Sequence, residues 1–362
     1  MNVDFLANGK GQGEVASFLL QNGRIDPGTM RPFIDPEDGK PYISIYKGGD
    51  PTKDESYKVV PHTYATLRRD EWKQLDEAIL DVARTRLNGV QDLIDNGLVY
   101  NLGNAMGTTV LEWHDVSDAM EADVTMDGIA RSKGDRLDFS HGYLPLPIIH
   151  ADYEINSRVL AASRNLGNAL DVTSAERAAR KVAERLENML FTNTTYAFGG
   201  GTIYSYLNHP DANTLSISAW TGGSSKTPRE MVDDVLDMKQ ALINDYHYGP
   251  YMLYIPTAYE TVIDGDYQDS MSNGTTNTIR ERIMKIAGLK GIKVVDTLPS
   301  TTLIFVQMTS DVVRLVRGLP IQTVEWSQEG NMVHKYKVMT IQVPQIRSDY
   351  NNRSGLLVVT AS

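Results

Sequence analysis

The sequence predicts an α+β protein with an N-terminal arm, a long β-hairpin excursion, a stiff central helix and a β-rich C-terminal third. Three observations predict it. The first 62 residues carry Pro and Gly every few positions and show no helical period. Residues 108–147 alternate charged and apolar residues around a polar, Gly-containing middle, the pattern of two paired strands. Residues 173–191, TSAERAARKVAERLENMLF, specify the clearest helix, and they bear no nucleophile, metal-ligand spacing or phosphate loop.

Composition narrows the function classes. A chain of 362 residues suggests about two domains at ~150 residues each. Hydrophobic residues make up 41% and charged residues 22%, ordinary globular values. There are no cysteines, which removes disulfides, thiolate metal sites and cysteine nucleophiles. The formal charge of −11, without a basic cluster, argues against broad binding of polyphosphate. "RRDEWK" and "RERIMK" are each broken by acids. The N-terminus lacks the basic start and apolar run of a signal peptide, and no apolar run approaches the ~20 residues of a membrane span.

The elements follow in order. Pro fixes φ and donates no amide hydrogen, so residues 1–62 read as an extended arm with one short strand at Tyr42–Tyr46. Such an arm orders by lying on another surface. From Arg69, Trp72, Leu75, Ile79, Val82, Leu87, Val90 and Ile94 recur at threes and fours as one helix, weakened at Gly89 and ended by Asn96-Gly97. The hairpin at 108–147 is marginal in isolation and has little apolar face, so it needs a partner surface.

Thr173 with Glu176 reads as a capping box, and Ala175, Ala178, Ala179, Val182, Leu186 and Met189 or Leu190 form the buried stripe of the central helix. Residues 198–226 read as loop and hairpin. A second capping box, Thr227 with Glu230, opens another helix with Pro228 at its first position. "YMLYIP" and "IKVVDTLP" read as buried strands flanking a helix in "TIRERIMKIAGLKG". "TTLIFVQM", "DVVRLVRG", the alternating tract 321–343 with a turn at 329–331, and "GLLVVTAS" complete the β-rich third.

The search for chemistry returns little. The seven histidines fall in no His-x-x-x-His or zinc-type spacing, so no metal site is expected. A calcium loop starting at Asp264 fails, with Asp269 where a turn Gly belongs and Thr275 where a bidentate Glu belongs. "GKGQG" (9–13) and "GGG" (199–201) follow no apolar strand and lack Gly-Lys-Ser/Thr, so they read as flexible segments. No Gly-x-Ser-x-Gly elbow exists, although Ser, His and acidic residues are too common for composition to exclude a triad. Trp72, Trp113, Trp220 and Trp326 read as core or subunit-contact residues. The expectation is a non-enzyme with no catalytic, cofactor-binding or metal residues. Its arm and hairpin are covered by copies of the same chain in a closed symmetric assembly.

The order of segments then resembles the encapsulins. "LRRDEWKQLDEAILDVARTRL" resembles their N-terminal helix. "GYLPLPIIHADYEINSRVLAASRNLGNALDVTSAERAARKVAERLENMLF" resembles the proline-leucine strand that leads to their spine helix. "TPREMVDDVLDMKQAL", "YGPYMLYIPTAYETVI" and "IMKIAGLKGIKVVDTLPSTTLIFVQM" are similar to the segments that follow. The resemblance spans about 69–362 and implies the Hong Kong 97-type fold that encapsulins share with tailed-phage capsid proteins.

The implied division is an arm at 1–62, a first helix and start of a peripheral domain at 63–107, and an extended loop at 108–147. The peripheral domain continues with the spine helix at 148–197 and with strands at 310–346. An axial domain takes 198–309 and the last strand, 347–362. The implied function is a structural major capsid protein, assembled in the host cytoplasm into the virion shell. Hexamers and pentamers would close into an icosahedron around double-stranded DNA. Scaffolding, portal and cement proteins would be partners, with no membrane and no cofactor. The alternative is an encapsulin-like shell housing a cargo enzyme. The sixty residues before the first helix fit a phage-type arm better, and the start at Met1 suggests no maturation cleavage and a separate scaffolding protein. Some shells of this fold are welded by a Lys–Asn isopeptide bond. Lys133 near the hairpin tip and Asn331 in the late turn are the pair considered, and no such bond is expected.

Overall fold

A computed structural model describes residues 5–7, 10–12, 14–22, 26–86, 88–103, 105–117, 126, 139–165, 172–221, 226–267, 277–329 and 332–361. In chain order the strands and helices begin with β1 (Phe5–Ala7), β2 (Lys10–Gln12), α1 (Glu14–Asn22), β3 (Phe33–Ile34), β4 (Pro41–Tyr46), β5 (Tyr57–Pro61) and β6 (Leu67–Arg68). Then come α2 (Arg69–Arg86), α3 (Asn88–Asp95), β7 (Val99–Asn101), β8 (Val110–Val116), β9 (Phe139–Pro145), β10 (Ile149–Asn156), α4 (Ser157–Asn165) and α5 (Thr173–Phe191). The remainder is β11 (Tyr196–Phe198), β12 (Gly201–Ile203), β13 (Asn213–Ile217), α6 (Pro228–Asn244), β14 (Tyr251–Pro256), α7 (Glu260–Ile263), α8 (Ile279–Met284), β15 (Leu289–Val295), β16 (Thr302–Gln307), β17 (Val313–Glu329), β18 (Val333–Ile346) and β19 (Leu356–Ala361).

The chain divides into two units. One comprises Met1–Thr109, Leu146–Leu190 and Arg314–Pro344, and the other Val110–Pro145, Phe191–Val313 and Gln345–Ser362. The segment expected as a separate arm therefore falls in the first unit, and the stem of the hairpin falls in the second.

The first unit is built on a four-stranded sheet in the order β10-β18-β17-β7. β10 pairs antiparallel with β18, and β7 parallel with β17. Tyr153 of β10 stacks on Tyr336 of β18 at 5.3 Å between ring centroids, and Trp72 of α2 meets Tyr336 edge-on at 6.0 Å. Helix α5 buries Ala175, Ala179, Val182, Leu186 and Leu190, the stripe its spacing predicts. The helix expected as one piece from Arg69 is two, α2 and α3, and Leu87 between them lies outside the described residues. Gly89 does not weaken the end of a long helix. It opens α3, where its buried amide donates to the Glu187 carboxylate of α5 at 3.0 Å and 3.3 Å. A carboxylate at exposed helix-start amides is favourable. The end of α3 is as expected. Gly97 has φ +71°, and the Leu98 amide donates back to the Leu93 carbonyl at 2.8 Å.

Residues 26–62 correct the reading of an extended arm. They supply three strands of a four-stranded sheet, β5-β4-β3-β6, within the same unit, β6 following at Leu67–Arg68. Pro and Gly there do not prevent structure. They make the turns between short strands, at Gly39 (φ +67°) and at Gly48 and Gly49 (φ +103° and +102°). Gly28 sits so close to β4 that a Cβ would lie 2.1 Å from the Ser44 carbonyl oxygen, so no side chain fits.

The second unit carries a five-stranded sheet in the order β13-β19-β16-β14-β15. β13 pairs parallel with β19 and β14 parallel with β15, while β16 runs antiparallel to both of its neighbours. β13 lies in the tract read as loop and hairpin, 198–226, but pairs with no neighbour there: its partner is β19, Asn213 standing opposite Leu357, so local pattern gave no signal. All six residues of β14 are buried, as a strand covered on both faces requires. Helix α6 lays Met231, Val235, Met238 and Leu242 into this core. Its capping box is formed as the sequence predicts, with the Thr227 hydroxyl accepting from the Glu230 amide and Pro228 at the first turn.

Candidate functional site

Three constellations stand out: an anchor for the N-terminal segment, a buried polar knot beside it, and an exposed hairpin face in the other unit.

The anchor begins with Arg31, which is 1% exposed. Its two terminal nitrogens donate to both oxygens of Asp76 on α2, at 2.7 Å and 2.6 Å, and its Nε donates to the Thr323 carbonyl of β17 at 2.7 Å. A planar guanidinium matches a carboxylate in this two-bond geometry, and the third bond saturates it further. The same guanidinium lies 5.1 Å from the Trp72 ring centroid, and the Trp72 Nε1 donates to the Pro32 carbonyl at 3.0 Å. Phe33 is buried under the Arg69 guanidinium, 4.1 Å from the ring centroid. Residues 31–33 thus tie the arm sheet to α2 and β17 of its own chain.

The knot joins α4, β17, β18 and the connection before β6, all in the same unit. The Thr66 hydroxyl donates to Glu325 Oε1 at 2.8 Å and lies 3.2 Å from His334 Nδ1. His334 Nε2 lies 2.8 Å from the Ser157 hydroxyl. Ser, His and Glu therefore meet, as composition left open. They do so in one hydrogen-bonded chain, Ser157, His334, Thr66 and Glu325, with His334 Nδ1 4.0 Å from Glu325 Oε1 and the Thr66 hydroxyl between them. Burial holds the Glu325 carboxyl above its ordinary range, the Thr66 bond opposing the shift in part.

The third constellation is the hairpin stem. β8 and β9 pair antiparallel from Val110↔Pro145 to Val116↔Phe139. Alternation puts Val110, Glu112, His114 and Val116 on one face, beside Phe139, His141, Tyr143 and Pro145. The outer part of this face is open to solvent: Val116 is 47% exposed, Phe139 60% and Tyr143 40%. The opposite face is held. The Trp113 ring packs where a Gly142 Cβ would come within 2.3 Å of it, its Nε1 donates to Asp115 at 3.0 Å, and Arg347 donates to Asp115 at 3.0 Å.

The other sequence readings find these places. Gly199 and Gly200, both at positive φ, make the turn between β11 and β12. Asp264 pairs with Arg280 at 2.6 Å, and the rest of the failed calcium loop from residue 268 lies outside the described residues. Lys133, Asn331 and the turn at 330–331 lie outside them as well. Trp72 and Trp220 are buried, Trp113 is half-buried, and the Trp326 side chain is not described. Sequence reasoning missed Arg31, read as part of the extended arm, and missed the meeting of Glu112, His114 and His141 on the stem. No described helix is long and apolar enough to cross a membrane.

Known structures share this architecture. The virus-like particle subunit of Pyrococcus furiosus superposes with a TM-score of 0.56 at 18% identity, covering 79% of this chain and 98% of its own. The capsid of Myoviridae phage XM1 gives 0.56 at 11% identity, covering 76% and 92%. The Type 1 encapsulin shell protein EncA of Myxococcus xanthus is 25% identical over 243 residues, 60% of this chain and 78% of EncA. The chain thus has the Hong Kong 97-type fold, with encapsulin-like kinship. Within it, the chain belongs to the family of unknown function DUF6260, whose profile matches residues 62–359.

Proposed function

We propose that the chain is the major capsid protein of a tailed bacteriophage, a structural subunit that closes as hexamers and pentamers into an icosahedral shell around double-stranded DNA. The observation that carries this reading is the hairpin stem on a shell-type fold. Its inner face is locked by Trp113 and Asp115, while its outer face offers Val116, Phe139 and Tyr143 to solvent. A neighbouring copy is the natural cover for such a strip. In a closed symmetric assembly each modest contact repeats around the ring, and a subunit already held at one edge meets the next at high effective concentration.

The unit with α5 is taken as the peripheral domain and the unit with the five-stranded sheet as the axial domain. The charge of −11 suits a wall that contains DNA without gripping it. Assembly belongs in the host cytoplasm, with scaffolding, portal and cement proteins as partners.

The similarity to EncA favours a second reading, an encapsulin shell around a cargo enzyme. The phage reading is preferred for the length of the N-terminal segment, of which 61 residues precede the family match.

Negative-stain microscopy of the purified chain tests both, with closed shells as the expected result. A monodisperse monomer would end the shell proposal. Particles from producing cells then divide the readings, nuclease-protected double-stranded DNA supporting the phage capsid and a co-purifying enzyme supporting the encapsulin.

A further inference from the structure

We propose that Glu112, His114 and His141 form a binding site for one divalent transition-metal ion of the zinc class on the exposed face of the hairpin stem. His114 and His141 are cross-strand partners in the β8/β9 register, and Glu112 is two residues from His114, on the same face. The candidate ligand atoms of the three side chains all lie within 4.8 Å of one another. Tetrahedral zinc, with bonds of about 2.0–2.2 Å, sets its ligand atoms roughly 3.3 Å apart. Glu112 Oε1 and His141 Nδ1 already stand 3.2 Å apart. The imidazoles of His114 and His141 meet edge-to-face at 4.5 Å between centroids. Closing the set takes about an ångström of side-chain rotation, and all three side chains are exposed enough to make it.

The bland alternative is a solvent-exposed His–Glu pair, worth about 0–1 kcal/mol. Two further facts favour a site. Two imidazoles and one carboxylate are the donor set of zinc, nickel, cobalt or copper, whereas calcium and magnesium take oxygen ligands. The backbone beneath the ligands is also pre-organised: Trp113 is packed over Gly142, and Asp115 receives both the Trp113 and the Arg347 hydrogen bonds. Register, and with it the His114–His141 pairing, is fixed before any ion arrives. Three protein ligands leave a fourth position for water. Sequence spacing concealed the set because His141 reaches the other two only through the hairpin.

A hairpin stem is marginal by itself, and an ion bridging its two strands clamps them together. The site stands whether or not the shell reading holds.

The test is calorimetric titration of the full chain, stripped of metal by chelator, with zinc chloride, the bound ion being counted by elemental analysis after dialysis. One zinc per chain is expected, with the melting temperature rising as zinc is added. His141→Ala and His114→Ala each weaken binding at least about tenfold, or 1.4 kcal/mol, and Glu112→Gln weakens it less. His150→Ala, which alters an exposed histidine 3.5 Å from Asp152 in the other unit, leaves the titration unchanged. Unchanged far-ultraviolet circular dichroism confirms folding, and His114→Gln and His141→Gln provide second variants that keep side-chain volume. The absence of stoichiometric zinc, binding that survives both histidine substitutions, or equal loss in His150→Ala overturns the proposal.

Discussion

The N-terminal segment and the hairpin stem raise the same problem in sequence and solve it differently. Each is a stretch of short strands with too little apolar surface to stand alone. The N-terminal segment finds its cover inside the chain: Arg31 is sunk between Asp76, Thr323 and Trp72, and Phe33 lies under Arg69. The hairpin stem covers one face with Trp113 and leaves Val116, Phe139 and Tyr143 on the other. Exposed strand and Gly-rich turn do not by themselves say whether a segment belongs to its own subunit or to the next one. The Arg31–Asp76 pair does here, because both partners are buried within one unit of the same chain.

Substitutions sharpen the contrast, and the largest effect belongs to the anchor. Arg31→Ala leaves Asp76 buried opposite an empty site and is expected to cost about 3–5 kcal/mol. Thermal unfolding of unassembled subunits should fall by roughly 10 °C. Replacing both partners with apolar residues, Arg31→Met with Asp76→Leu, should recover much of the loss. Near-wild-type unfolding of Arg31→Ala would show that the arm sheet is only loosely held.

Glu187→Ala comes next. It removes the acceptor of the buried Gly89 amide and should cost about 1–3 kcal/mol, read from the denaturant midpoint.

Glu325→Gln should act in the opposite direction and on a smaller scale, on the order of 1 kcal/mol. Burial raises the carboxyl above its unfolded value, so the folded state holds the proton more tightly. The residue's contribution to stability is therefore full below the unfolded value and is lost as pH rises through the folded one. Gln removes that loss. The variant should melt higher than wild type at pH 7.5 and show no gain near about pH 3.5, below the ordinary Glu range.

The smallest effect on the subunit, and the largest on assembly, belongs to the hairpin. Phe139→Asp should change subunit stability by no more than about 0.5 kcal/mol, as exposed substitutions do, while shells disappear from size-exclusion profiles and micrographs. Shells forming at wild-type yield would remove the stem from the subunit contact.

Much of the fold was legible. The stripe of α5, the capping box of α6, the unbroken apolar run of β14 and the final strand each follow from neighbours within a few residues. The order of these segments carried the Hong Kong 97-type resemblance, which the known structures bear out as a fold. The split between α2 and α3 was hidden because the apolar stripe runs on through Leu87 and Val90, while the carboxylate that meets the Gly89 amide at the start of α3, Glu187, comes nearly a hundred residues later. The arm sheet was hidden because Pro and Gly were read as marks of an extended arm, where Gly39, Gly48 and Gly49 mark turns between strands as short as two residues. Glu112 and His114 were visible as a strand face, but nothing local announced that His141 would stand opposite them.

The sequence by itself determined helices α5 and α6 with their apolar faces, strand β14 and the last strand, because periodicity and capping are written within one or two turns of chain. Only the tertiary structure decided that Arg31 would meet Asp76, that Ser157, His334, Thr66 and Glu325 would form one hydrogen-bonded chain, and that two histidines and a glutamate would share a surface. Those meetings depend on strand register and on which polar groups are forced out of water together, quantities set by the packing of distant segments and by no local pattern.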